Sequence, residues 1–251
     1  MITTTLRSEW IKLRSARSLF VLQIMTAIVT IGISYLHCRG YRVAADDDPT
    51  QISLFGLSLG VFFAGVIGVL SVTSEFASGT IGPTLSATPR RGRVALAKIL
   101  LLALMGLIGG TLISLTSFEV GLAALAPNSL RPSLADPTTL RAVIGGGLAL
   151  AAISLLGLGL GFILHRTAAA LVALVVVLYL LPLFTTSLAS TTRQSVLRFL
   201  PADLFGAMLQ GPHHVATTPA TLGPWTAIAV LATEVSVILA CGVNVLGRTD
   251  L

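Results

Sequence analysis

The stretch AVIGGGLALAAISLLGLGLGFILHRTAAALVALVVVLYLLPLFTTSLASTT, Ala142 to Thr192, holds one charged residue, Arg166. Its windows at 142–165 and 167–192 both meet the about 20 residues that carry a helix through a hydrocarbon core about 30 Å thick. A His165-Arg166 pair between two such windows leaves room for a turn and nothing more. The stretch therefore reads as a helical hairpin that crosses a membrane twice, since a helix satisfies its own backbone polar groups in lipid.

Working outward with charged residues as fence posts, the same criterion finds windows at 18–38, 49–74 and 99–118, and a sixth around Trp225 to Val245 that is interrupted only by Glu234. The predicted spans are Ser18–His37, Ile52–Thr73, Leu96–Ser117, Val143–Leu164, Ala168–Leu188 and Trp225–Val245. Composition agrees: 54% of the 251 residues are hydrophobic and 10% charged, against about 25% charged in a soluble domain. A water-soluble enzyme, a disordered chain and a free nucleic-acid binder are excluded on that ground. The first span is too long for a signal-peptide core and lacks a small-x-small cleavage site, so it reads as a retained helix. Cys38 and Cys241 are too few and too far apart for a zinc cluster or a disulfide framework.

Six spans divide the 16 basic residues unevenly. Arg7, Lys12, Arg14, Arg17, Arg90, Arg91, Arg93, Lys98, Arg166 and Arg248 fall on one side, and Arg39, Arg42, Arg131, Arg141, Arg193 and Arg198 on the other. The positive-inside bias makes the first side cytoplasmic, with both termini. The expected class is an all-α membrane protein, one transmembrane domain over 1–251, in the plasma membrane. On the external side, Leu197, Leu200, Leu204, Phe205, Met208 and Leu209 recur near helical spacing ahead of Gly211-Pro212, which predicts a short helix packed on the bundle.

Two cytoplasmic stretches carry more information. Ile2, Leu6, Trp10 and Leu13 fall within an arc of about 80° on a helix, which predicts an amphipathic interfacial helix over 1–17 with Trp10 at the headgroup level. Between the second and third spans runs SEFASGTIGPTLSATPRRGRVALAKIL, Ser74 to Leu100. Thr73 or Ser74 is placed to cap a short helix with Glu75 in its first turn, and Gly79 to end it. Glu75 reads there as an acid with no compensating charge. Glycines at 106, 109, 110, 145 to 147, 157, 159 and 161 predict close approach of the third and fourth spans.

These elements together resemble the membrane subunits of ATP-binding-cassette transporters of the type-2 exporter class. The resemblance covers nearly the whole chain and rests on the basic amphipathic LRSEWIKLRSARS (Leu6 to Ser18), the six spans, and the pattern Glu75, Gly79-Thr80, Leu85, Pro89-Arg90-Arg91 and Lys98. It implies that this loop is a coupling helix, with Glu75, Phe76, Gly79, Thr80, Leu85, Pro89, Arg90 and Arg91 seated against a separate nucleotide-binding subunit. Leu6, Trp10 and Leu13 would belong to the interfacial connecting helix. Gly82-Pro83 departs from the pattern, because proline there breaks a helix running from Thr80 through Leu85.

No G-x-x-x-x-G-K-[ST] loop occurs, so ATP and Mg would be held by the partner ATPase and this chain would not itself be an enzyme. The implied partners are that ATPase, a second permease subunit and the lipid bilayer, with no nucleic acid. Glu234 stands out, since an ionisable group inside a span is costly and is a functional candidate by default; a substrate contact and a structural hydrogen bond are both open. The alternative class is a stand-alone secondary transporter or channel, which needs coupling-ion sites at mid-membrane. His213-His214 reads as a solvated loop pair.

Overall fold

A computed structural model of the chain describes residues 17–41, 43, 47–79, 91–125, 131–185, 196–211 and 222–248. Among them all regular structure is helical. Six helices are long and apolar enough to cross a membrane: α1 (Arg17–Cys38), α3 (Leu57–Ala77), α4 (Arg91–Ala124), α5 (Pro137–Leu164), α6 (Thr167–Thr185) and α8 (Pro224–Arg248). Two short helices, α2 (Pro49–Ser53) and α7 (Pro201–Met208), lie between spans. The expected interfacial helix with Leu6, Trp10 and Leu13 lies outside the described residues, as do 80–90 and His213-His214.

The span boundaries move for local reasons. The second span does not begin at Ile52, because the chain breaks over Leu54 to Gly56. Leu57 N donates to Leu54 O and Ser58 N to Phe55 O, three-residue bonds that interrupt the α pattern. Gly56 N instead bonds Ser34 Oγ on α1 at 3.0 Å. A β-carbon at Gly56 would stand 1.9 Å from Thr30 O, so only glycine lets this break dock on α1. The third span starts at Arg91 rather than Leu96, which moves Lys98 from the first turn to about two turns inside the helix. The Asp-Pro-Thr sequence recurs at 48–50 and 136–138, and each copy opens a helix, with the aspartate accepting from the threonine N–H at 3.0 Å and proline in the first turn. The helical spacing of Leu200, Leu204, Phe205 and Met208 yields α7, opened by Pro201.

α5 is the central helix, packed on α3, α4, α6, α7 and α8, while α1 lies across α3 and α4. Burial follows this order: about two thirds of the α5 window and most of the α3 window are buried, against small fractions of α1, α4, α6 and α8. The outer helices present apolar faces, such as Phe20, Ile24 and Ile28 on α1 and Leu100, Leu104, Ile108 and Leu112 on α4. Exposure on that scale suits lipid rather than water.

Glycine approach joins the helices, but more widely than between the third and fourth spans. Gly106 and Gly110 do meet Ala151 and Gly147. Closer approaches run between α3 and α5, where β-carbons at Gly68 and Gly157 would stand 1.8 Å from Ser154 O and 2.1 Å from Gly65 O. Gly159 faces Ile238 of α8. Hydroxyl bonds add to this packing: Ser34 Oγ pairs with Ser117 Oγ at 2.7 Å, and Ser114 Oγ donates to Val143 O at 2.8 Å.

Candidate functional site

Two places in the bundle gather the chemistry. The first is the end where α3 stops and α4 starts. Glu75 does not open a short helix. It lies in the last turn of α3, where the helix dipole disfavours a carboxylate. A cation supplies the compensation: Lys98 Nζ lies 2.8 Å from Glu75 Oε1 and donates to Ser71 O at 3.2 Å. Lys98 is 3% exposed and Glu75 12%, so the expectation of an uncompensated acid is overturned. The ammonium occupies the C-terminal turns of α3, where unpaired carbonyls and a carboxylate both attract it.

Gly79 ends this helix as its position suggests. It takes φ +68°, and its N–H bonds Phe76 O at 3.2 Å. Phe76 turns into the bundle, against Val94 of α4 and edge-on to the His165 ring with centroids 4.5 Å apart. His165 caps α5, its N–H bonding Gly161 O at 3.0 Å in the left-handed conformation, φ +56°. Burial lowers its imidazole pKa below the ordinary 6.5. The turn between α5 and α6 and the α3–α4 junction thus share one end of the bundle. Of the other proposed coupling residues, Arg91 begins α4, while Thr80, Leu85, Pro89 and Arg90 lie outside the described residues.

At the opposite end, Asp48 Oδ2 accepts from Gly211 N at 2.6 Å and the Arg141 guanidinium donates to Gln210 O. These bonds tie the segment after α7 to the starts of α2 and α5. The second candidate site is an open recess of about 670 Å³ lined by Leu156 of α5, Val177 of α6, Phe199 to Pro201 at the start of α7, and one face of α8. Val177 belongs to a π-helical stretch, Val176–Leu180, set into α6.

Glu234 lines this recess. The buried face of α8 is Ala227, Leu231, Val235 and Leu239, and Glu234 stands at its edge, ten residues into the helix. Ten residues are about 15 Å of helix, half the thickness of the hydrocarbon core. Its Oε2 is buried and has no hydrogen-bond partner among the described residues. Thr233, the other polar side chain among the described residues lining the recess, donates its hydroxyl proton to Ala229 O at 2.8 Å.

Sequence reasoning singled out both acids and missed what surrounds them. Lys98 was legible as part of a pattern but not as Glu75's partner. The available signal was a lysine embedded between Ala97 and Ile99, which in an apolar helix demands a nearby acid, and Glu75 is the acid at the same end of the adjoining helix. The wall at Phe199 to Pro201 carried no signal beyond helical spacing. Compared with protein-family models and with curated proteins, the chain matches none.

Proposed function

We propose that the chain is the permease subunit of a bacterial ATP-driven exporter, lying in the plasma membrane with both termini cytoplasmic. It would work with a separate ATPase subunit that binds ATP and Mg, and with a second permease subunit. The observation that carries this reading is the Glu75–Lys98 pair. These two residues belong to the pattern on which the resemblance rests, and their contact gives that pattern a physical purpose. The connection 80–90 joins α3 to α4, and the ion pair fastens the two helices directly beside it. A push on the connection then moves both helices together instead of prising them apart.

Support for a path onward comes from packing. α3 meets α5 backbone to backbone at Gly65, Gly68, Ser154 and Gly157, and Leu156, in the same turns of α5, lines the recess that holds Glu234. Densely packed helices transmit displacement rather than absorb it. On this reading ATP-driven closure of the ATPase pair displaces α3 and α4, α5 follows, and the recess changes shape.

The test is purification of the tagged chain from its own host cells, with an ATP-binding-cassette ATPase sought in the eluate. Co-purification is expected, together with ATP hydrolysis that falls when Leu85 or Arg90 is replaced by Asp. Substrate movement by the purified chain alone in vesicles, driven by an ion gradient without ATP, would overturn the proposal in favour of a secondary transporter.

A further inference from the structure

From the recess around Glu234 we infer the chemical class of the ligand: a hydrophobic organic cation, of the kind in which aromatic or alkyl groups shield a quaternary centre. This inference rests on reading the recess as the substrate site of the proposed permease.

The volume, about 670 Å³, lies within the about 300–1,000 Å³ range of pockets that hold drug-sized molecules. The walls are apolar, from Leu156, Val177, Leu200, Val230, Val237 and other residues of the same character. Such walls reward burial of hydrocarbon and offer nothing to a sugar or a peptide backbone, whose polar groups would be left without partners. With the Thr233 hydroxyl proton given to its own helix, the Glu234 carboxylate is the one charged group among the described residues lining the recess.

A lone carboxylate in an apolar surrounding discriminates by charge. An anion entering the recess meets like charge in a medium that screens poorly, whereas a cation relieves an unpaired acid. The chain supplies no such cation among the described residues. Arg198, beside the wall, stacks on the exposed ring of Phe199 with its guanidinium carbon 4.9 Å from the centroid, and makes no ion pair with Glu234. A metal ion is a poor match, because one carboxylate cannot replace the several oxygens that hold a hard cation, and no metal-binding cluster occurs among the described residues. A bulky cation with weakly held hydration satisfies walls and carboxylate together.

The experiment measures equilibrium binding of radiolabelled tetraphenylphosphonium to the purified full-length chain in detergent. Neutral triphenylphosphine oxide and anionic tetraphenylborate serve as competitors. Saturable binding is expected in the native chain, with a loss of affinity of tenfold or more in Glu234→Gln and retention within a few-fold in Glu234→Asp. Val237→Trp, which fills the recess from an exposed position on α8, should abolish binding, and monodisperse elution of each variant establishes its fold. Equal affinity in Glu234→Gln, or competition by the oxide or the borate as strong as by unlabelled cation, overturns the cation assignment while leaving the recess as a binding site. Binding that is absent in the native chain, or indifferent to Val237→Trp, overturns the inference and the reading of the recess on which it rests.

Discussion

The ammonium of Lys98 and the carboxylate of Glu75, 23 residues apart in the chain, meet at 2.8 Å and close the base of the α3–α4 hairpin. Both groups are almost wholly withdrawn from solvent. Removing either one takes a directly bonded countercharge from the other in a place with little access to water.

Lys98→Met should therefore lower stability by about 3–5 kcal/mol, as for other broken buried ion pairs, and Glu75→Gln by a comparable amount. The double variant should recover much of the loss, since neither charge is then left buried without the other. Thermal unfolding of all four proteins in one detergent gives the coupling energy directly. Additive losses in the double variant would show that the pair contributes no coupling.

Backbone contact between α3 and α5 predicts a contrast between glycines. Gly68→Ala drives a methyl into Ser154 O and should destabilise the bundle by about 1–3 kcal/mol or more. Gly32→Ala in α1 meets nothing within 4 Å and should stabilise by about 0.5–1 kcal/mol through helix propensity. Equal effects at the two positions, measured by unfolding in detergent, would contradict the packing of α3 on α5.

His165 makes stability depend on pH. Burial holds the folded imidazole neutral to a lower pH than the unfolded one, which takes up its proton near 6.5. Between those values the unfolded state binds more protons, so stability is full above pH 6.5 and declines as the pH falls toward the folded pKa. His165→Asn, which tolerates the left-handed backbone and does not titrate, should flatten this part of the profile. The midpoint of thermal unfolding followed from pH 7.5 to 5 tests it, and an unchanged slope in the variant would assign the dependence to another group.

Orientation has its own test. Ser78 and Ser133 are both exposed, on opposite ends of the bundle. With Cys38 and Cys241 replaced by Ser, a cysteine at 133 should react with an impermeant thiol reagent in intact cells and one at 78 only after lysis. The reverse pattern would invert the proposed topology.

What the sequence by itself determined is what can be counted along one dimension. Six apolar windows give six helices because span length is set by membrane thickness and the rise of a helix. Gly79 stops a helix because capping needs only a few neighbouring residues. Glu234 was visible as an acid in an unfavourable place, and Glu75 as an acid at a loop that carried a pattern. Tertiary structure alone decided the rest: that Glu75 faces Lys98, that α5 rather than another span is central, and that Phe199 to Pro201 wall the recess beside Glu234. In a membrane, faces turned to lipid and to protein are equally apolar, so hydropathy does not say which helix meets which. Partners of a charge, and the walls of a cavity, exist only once distant segments have docked.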